Sequence, residues 1–454
     1  MKKCFTSFVV LSVLLSSAVR AETIFEALGE AYKSNPDLQA QRAYLRGVDE
    51  NAAIAKSGYR PTVTATGRYS DTRNNNDINP QDQGGQGYNI EARVTQPIFN
   101  GFGTVNSVSS ADSYIRSEQY NLSNYEQTVF LNASEAYLNV VRDEAILDLQ
   151  KSNEALLKKQ LDETTERFNV GELTRTDVAQ SRSSYSQAVA NRISAEGNFQ
   201  VSKAIYFQVI GKNPTNLTEP DNIHTFLPAD FDTALAYTIN NNYGILQAKK
   251  FLEAKDYDVK ANYAPLLPQA SATAAVARSK SDPKYRASQE SEVDSVEFGV
   301  NLSIPLYDAG ENRARIRQSK YAKWQAHENV LSAERAAISS ITGYWEFMVA
   351  SDAMIKALQE QVEANEIALD GVKKEEALGN RTILDVLNAF QTLSDSKVEV
   401  VKARREYYLS SMRVMQSMGR LTAENLALDV EVYDAKKHYK ETKDKWLSTS
   451  IDKN

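Results

Sequence analysis

The chain has 454 residues, an acidic balance of −7, three histidines and a single cysteine. Acidity without a basic block argues against nucleic acid as a partner. Isolated histidines, and the absence of HExxH, Gly-rich phosphate-loop, GxSxG or Cys/His patterns, leave no metal, cofactor or catalytic constellation to nominate.

The N-terminus has the form of a secretory signal, residues 1–21. Lys2 and Lys3 precede an apolar core from Phe8 to Leu15, and Val19-Arg20-Ala21 ends it, so the mature chain is expected to begin at Glu22. Cys4 leaves with the signal, which excludes disulfide and thiol chemistry, and the loss of Lys2, Lys3 and Arg20 takes the charge from −7 to −10. No later stretch is long and apolar enough for a membrane helix. Strands in a closed barrel remain a route into a membrane.

Thr23 to about Ser57 reads as helix, ended by Tyr59-Arg60-Pro61. A strand follows with Val63, Ala65, Gly67 and Tyr69 on one face. After the polar stretch Asn74 to Gly87 comes a second strand, in which Tyr88, Ile90, Ala92 and Val94 alternate with Asn89, Glu91, Arg93 and Thr95. This hairpin, about 62–98, runs into Gln96-Pro97-Ile98-Phe99-Asn100-Gly101. The next 67 residues, Thr104 to Val170, lack Gly and Pro and carry two interleaved seven-residue series, Leu122 to Leu157 and Ala133 to Phe168. As one helix they would extend about 100 Å. Asp143, Gln150 and Glu154 dilute the seam, as suits a helix packed beside water.

Gly171 ends that helix at a tip, 169–174, and Thr174 is placed to cap the next, with Asp177 at the third helical position. The second helix stops at Ile210-Gly211. A Pro-punctuated connector, 212–230, has Leu217, Ile223, Phe226 and Leu227 to bury. The pattern then recurs. From Pro97–Gly211 to Pro305–Gly419 the offset is a constant 208, so Gly171, Thr174 and Asp177 return as Gly379, Thr382 and Asp385. The second unit spans 231–419, with a hairpin about 268–305 and a tip 377–382. Its second strand alternates Val296, Phe298, Val300, Leu302 and Ile304 with Ser295, Glu297, Gly299, Asn301 and Ser303. Segment 420–433 echoes the connector, and 434–454 reads as a mobile charged tail.

Pro61, Pro97, Pro268 and Pro305 mark the junctions of strand and helix, since Pro continues neither ladder. Four strands of about ten residues cannot close a barrel. Two copies of the chain would give eight strands and three would give twelve; the polar inner set (Thr, Asn, Glu, Arg, Ser) asks for a watered lumen, and so for three. The fold class expected is an α+β membrane protein, a tandem-duplicated unit of long helical hairpins and β-hairpins.

The duplicated halves, the Gln96-to-Gly101 junction and the tips Arg167-Phe168-Asn169-Val170-Gly171 and Gly379-to-Leu387 resemble the TolC family of outer membrane proteins, from Glu22 to about Val432. The resemblance implies a homotrimer with a twelve-stranded barrel in outer membrane lipid and a twelve-helix periplasmic tunnel. The connector and 420–433 would form an equatorial belt. It further implies an exit duct for efflux or type I secretion, docked to a periplasmic adaptor and an inner membrane ABC or RND pump. At the tips it implies an aperture ring at Asp385 and at Asn388, where the family pattern has a second Asp. It implies a latch of Arg381 with Thr176 and Asp177, with Glu376 where that latch has a Tyr. Read locally, each tip Asp is a capping residue and Arg381 an exposed turn residue. A trimeric coiled-coil surface fibre or adhesin would share the seams but leaves the paired strands unexplained. A secreted glycan hydrolase would need an acid/base pair that cannot be nominated.

Overall fold

The computed structural model describes residues 22–72, 85–220, 223–283 and 290–451. The signal and most of the polar stretch after β1 therefore lie outside the described residues. The elements run α1 (Ile24–Ser34), α2 (Pro36–Lys56), β1 (Thr62–Thr72), β2 (Gly85–Asn100), α3 (Gly103–Asn169) and α4 (Arg175–Ile210). The same order then recurs, as α5 (Phe231–Asn241), α6 (Tyr243–Asn262), β3 (Gln269–Pro283), β4 (Ser291–Ser303), α7 (Glu311–Ala377) and α8 (Ile383–Ser417). The long helices α3 and α7 have 67 residues each. A short α9 (Lys437–Thr442) closes the series. No helix among the described residues is long and apolar enough to cross a membrane.

Three boundaries differ from the sequence reading. The first helical stretch is split at Asn35, because Pro36 has no N–H to continue the helix. The strands are longer than ten residues, at 11, 16, 15 and 13. They absorb Gly85–Gly87 and much of the expected 279–294 loop, where cross-strand pairing overrides polar composition. Segment 434–446 is laid down against α2, α3 and Arg60, not left as a free tail, while 447–451 are exposed. His438 Nδ1 is 2.9 Å from the buried Asp49 carboxylate, and the Tyr439 hydroxyl donates to Asp112 at 2.8 Å. The charge that suggested mobility is in part neutralised by specific partners.

Contacts gather the chain into two units, each drawing on both repeats. One holds the residues up to Pro36 with Glu126–Ala234 and Ser340–Val432; the other holds Asp37–Tyr125, Leu235–Ser339 and the segment from Tyr433. The first unit contains the α3/α4 and α7/α8 tips. Its seam buries Val129, Ala136, Asp143, Gln150 and Leu157 together with Ala133, Val140 and Leu147. In the same unit Glu22 is buried where the connector meets α3 and α4. Its carboxylate accepts from the Tyr206 hydroxyl at 2.5 Å, while Tyr137 donates to the backbone oxygens of Glu22 and Thr218 at 2.8 and 2.7 Å. Burial pushes the Tyr137 hydroxyl up to about 12, so both phenols stay neutral donors. The second unit contains one antiparallel sheet, β1-β2-β3-β4.

Candidate functional site

In the sheet, register decides which side chains share a face, because directly opposed residues point the same way. Val63 faces Val94, Val94 faces Ala274 and Ala274 faces Phe298; Ala65, Ala92, Val276 and Val296 form the next rung. These residues make one face nearly all apolar. Thr64, Arg93, Ala275 and Glu297 make a rung of the opposite face, which is mostly polar, and there Arg93 bridges Glu91 at 2.6 Å and Glu297 at 3.7 Å. Both expected face sets are therefore recovered. Among the described residues the apolar face is left uncovered on β4, where Phe298 is 81% exposed and Val300 72%. The apolar face ends in charge at the hairpin side, where Arg278 bridges Asp294 at 2.7 Å and Lys280 meets Glu290. β1 and β4 are the sheet's two edges.

All four junction prolines flank or interrupt strands. Pro61 and Pro268 directly precede β1 and β3, and Pro305 lies just after β4. Pro97 lies inside β2, where the register with β3 slips between Pro97 and Phe99. The turn after β2 needs glycine: Gly101 has φ +62, and a Cβ there would lie 2.5 Å from the Ala264 carbonyl oxygen. Asn100 and Asp308 play matched parts in the two copies, accepting from the backbone N–H four residues on, in Thr104 and in Asn312.

At the tips, Gly171 (φ +86) and Gly379 (φ +80) take the left-handed conformation that ends α3 and α7. Paired bonds complete both turns: Glu172 N–H to Arg167 O and Gly171 N–H to Phe168 O, then Asn380 N–H to Glu375 O and Gly379 N–H to Glu376 O, all between 2.8 and 3.0 Å. Full capping boxes then start α4 and α8, Thr174 with Asp177 and Thr382 with Asp385. Hydrogen bonds from the Thr382 N–H and hydroxyl hold the Asp385 carboxyl below the usual carboxylate range.

The structure places Arg381 on Glu375 of its own tip, at 2.9 Å, while Thr176 and Asn388 are exposed on α4 and α8. Glu376 is not idle. It accepts from Arg167 at 2.8 Å, and that ion pair joins the tip of α3 to the tip of α7. The sequence reading missed this contact, although a signal was present. Glu376 ends an otherwise mostly apolar heptad series, and a half-buried acid on a seam demands a cation.

Duplicated long helical hairpins and one two-faced, four-stranded sheet define a mostly helical fold with a smaller strand part. The model of the outer membrane efflux protein family matches residues 27–211 and 235–420. The chain belongs to that family, which is one of channel proteins. It is 35% identical to the outer membrane efflux protein BepC of Brucella suis, over 98% of this chain and 96% of BepC. It is 25% identical to the outer membrane protein TolC of Escherichia coli, over 94% and 88% of the two chains. The CmeC outer membrane channel of Campylobacter jejuni has the same fold, with a TM-score of 0.76 at 16% identity, over 92% of this chain and 89% of that one. This protein is thus an export duct of the Gram-negative outer membrane, with its helical part in the periplasm.

Proposed function

We propose that three copies of the chain close one twelve-stranded barrel, β4 of each copy pairing with β1 of the next. The observation that carries this reading is the four-stranded sheet with two open edges and one apolar face. In lipid an unpaired strand edge is not tolerated, so the edges must meet another copy. Nine positions from Val296 to Ile304 carry the apolar alternation, the span of a tilted strand through the hydrocarbon core. The mostly polar opposite face lines a watered lumen.

The helical hairpins of the three copies continue that lumen as a tunnel, its tips docking with a periplasmic adaptor and an inner membrane ABC or RND pump. The role is a passive conduit for efflux or type I secretion, without a chemical step, and the pump selects the cargo. Asp385 and Asn388 of three copies ring the aperture. Arg381 exchanges its own Glu375 for Thr176 and Asp177 of a neighbouring hairpin when the aperture closes.

Chemical crosslinking of the detergent-extracted protein tests the shared barrel: the ladder should stop at three subunits. Val300→Arg, on the lipid face, should cost roughly 2–4 kcal/mol near the midplane and lower trimer yield, whereas Asn301→Arg should be tolerated. A stable monomer, or equal damage from the two substitutions, would refute it.

A further inference from the structure

The C-terminal segment returns to the foot of the sheet and is fastened there. The Tyr433 ring lies under the guanidinium of Arg42, 5.1 Å from its centroid. Beyond it come the His438–Asp49 and Tyr439–Asp112 contacts of α9, and then Lys56 bridges Asp444 at 2.7 Å. Arg60, one residue before Pro61 and the start of β1, donates to the backbone oxygens of Asp444 and Lys445 and lies 5.4 Å from the centre of the Trp446 ring. Trp446 is thus fixed where an edge strand begins.

From Trp446 onward the apolar side chains are uncovered. Trp446 is 64% exposed, Leu447 85% and Ile451 78%, three large apolar side chains within six residues. Lys443 and Lys445 alternate with Asp444 just before them. An indole with an adjacent aliphatic side chain and flanking lysines has the composition of a segment that rests in a bilayer interface. Arg60, which holds Trp446, stands three residues before Val63, the first residue of the apolar strand face in β1.

We propose that residues 443–451 form an interfacial anchor on the periplasmic leaflet of the outer membrane. Trp446, Leu447 and Ile451 enter the headgroup region, and Lys443 and Lys445 meet the phosphates of anionic phospholipid. The proposal rests on the barrel reading, which places the strand feet at that leaflet. Two features of the chain favour lipid as the occupant: attachment through Arg60 beside the start of the apolar strand face, and lysines beside the apolar residues. The upstream contacts position the segment before lipid arrives, which lowers the ordering cost of insertion.

The test uses the full chain in vesicles of phosphatidylethanolamine and phosphatidylglycerol, with lipids brominated at shallow or deep acyl positions. Of the three tryptophans, Trp324 and Trp345 are replaced by Phe, leaving Trp446 as the sole indole. The result expected is a blue-shifted emission quenched more by shallow than by deep bromines, with quenching that weakens when phosphatidylglycerol is omitted. A parallel reporter, Val300→Trp with all three native tryptophans replaced by Phe, should be quenched by deep bromines. Quenching of the Val300→Trp reporter but not of Trp446 would overturn the anchor and leave the barrel standing; such a result includes Trp446 buried against a neighbouring copy. Absence of quenching at both positions would overturn the barrel reading and the anchor with it. Quenching of Trp446 unchanged without phosphatidylglycerol would overturn the lysine–phosphate part.

Discussion

The two helical tips share one turn and one capping box, yet they are packed differently. In the second, Ile383, Val386, Leu387 and Phe390 at the start of α8 are buried in a cluster with Leu157, Ala188 and Leu369. The residues 208 positions earlier are Arg175, Val178, Ala179 and Arg182, and of these only Val178 is even partly covered. Duplication preserved the local code that makes a tip, while the side chains beyond it diverged into a packed start and a solvated start. The packed tip holds its place within the chain. The solvated one leaves Thr176 exposed and Asp177 partly so, as the proposed latch with a neighbouring hairpin would require.

The largest expected effect tests that asymmetry directly. Phe390→Ala should cost about 3–5 kcal/mol, because it opens a cavity in the cluster. Arg182→Ala, at the matching place on α4, should stay within about 0.5 kcal/mol. Hydrogen exchange of the tip amides reports both, and equal loss of protection at the two sites would dissolve the contrast.

A smaller effect belongs to the Arg167–Glu376 pair, which ties the tips of α3 and α7 together. Glu376→Ala should cost roughly 1–3 kcal/mol, as for a charge-assisted hydrogen bond in a partly buried place. Exchange should rise at both tips, since each loses its tie to the other. Glu172→Ala, which removes the more exposed partner of Arg167 at 3.2 Å, should do far less. If both substitutions act alike, the inter-hairpin tie is not what orders the tips.

Much of this architecture is legible in the sequence because it is local. The seven-residue series, the offset of 208, the tip glycines and the period-two faces of the strands are short-range patterns with short-range causes. Both capping boxes can be read at Thr174 and Thr382 for the same reason. What escapes is long-range. Arg167 meets Glu376 across 209 positions, and His438 meets Asp49 across 389, and no periodicity links either pair. Segment 434–446 is misjudged when its charges are weighed by composition alone, because Tyr439 and Trp446 have rings to place.

The caps should respond equally where the cores do not. Thr174→Ala and Thr382→Ala each remove an N-cap oxygen and should each cost about 1 kcal/mol. Circular dichroism of the whole protein is too coarse for this, so exchange at the Asp177 and Asp385 amides, which lose their side-chain acceptor, is the proper readout. A markedly larger loss at Thr382 would mean that its cap is coupled to the neighbouring cluster.

The smallest effect, and the one that reaches furthest into function, is the titration of Asp385. Within a single tip the Thr382 N–H and hydroxyl favour its charged form, so its folded pKa lies below the unfolded value. By linkage its contribution to tip stability is complete above the ordinary carboxylate range and is lost as the pH falls through the lowered folded value. An aperture ring would work against this. Three like charges brought together favour the neutral form and raise the apparent values of the set. The competition can be read in planar bilayers as block by trivalent cations, which bind a ring of carboxylates tightly. Block should require Asp385, vanish in Asp385→Ala and persist in Asp177→Ala. If the caps dominate, block should survive to pH values below the ordinary carboxylate range, and Thr382→Val, which removes one donor, should move its loss to higher pH. Loss of block at or above that range in the native protein would mean that the three carboxylates are close enough to outweigh their caps, and so that the aperture rests nearly closed. Block that persists in Asp385→Ala would move the ring elsewhere on the tips.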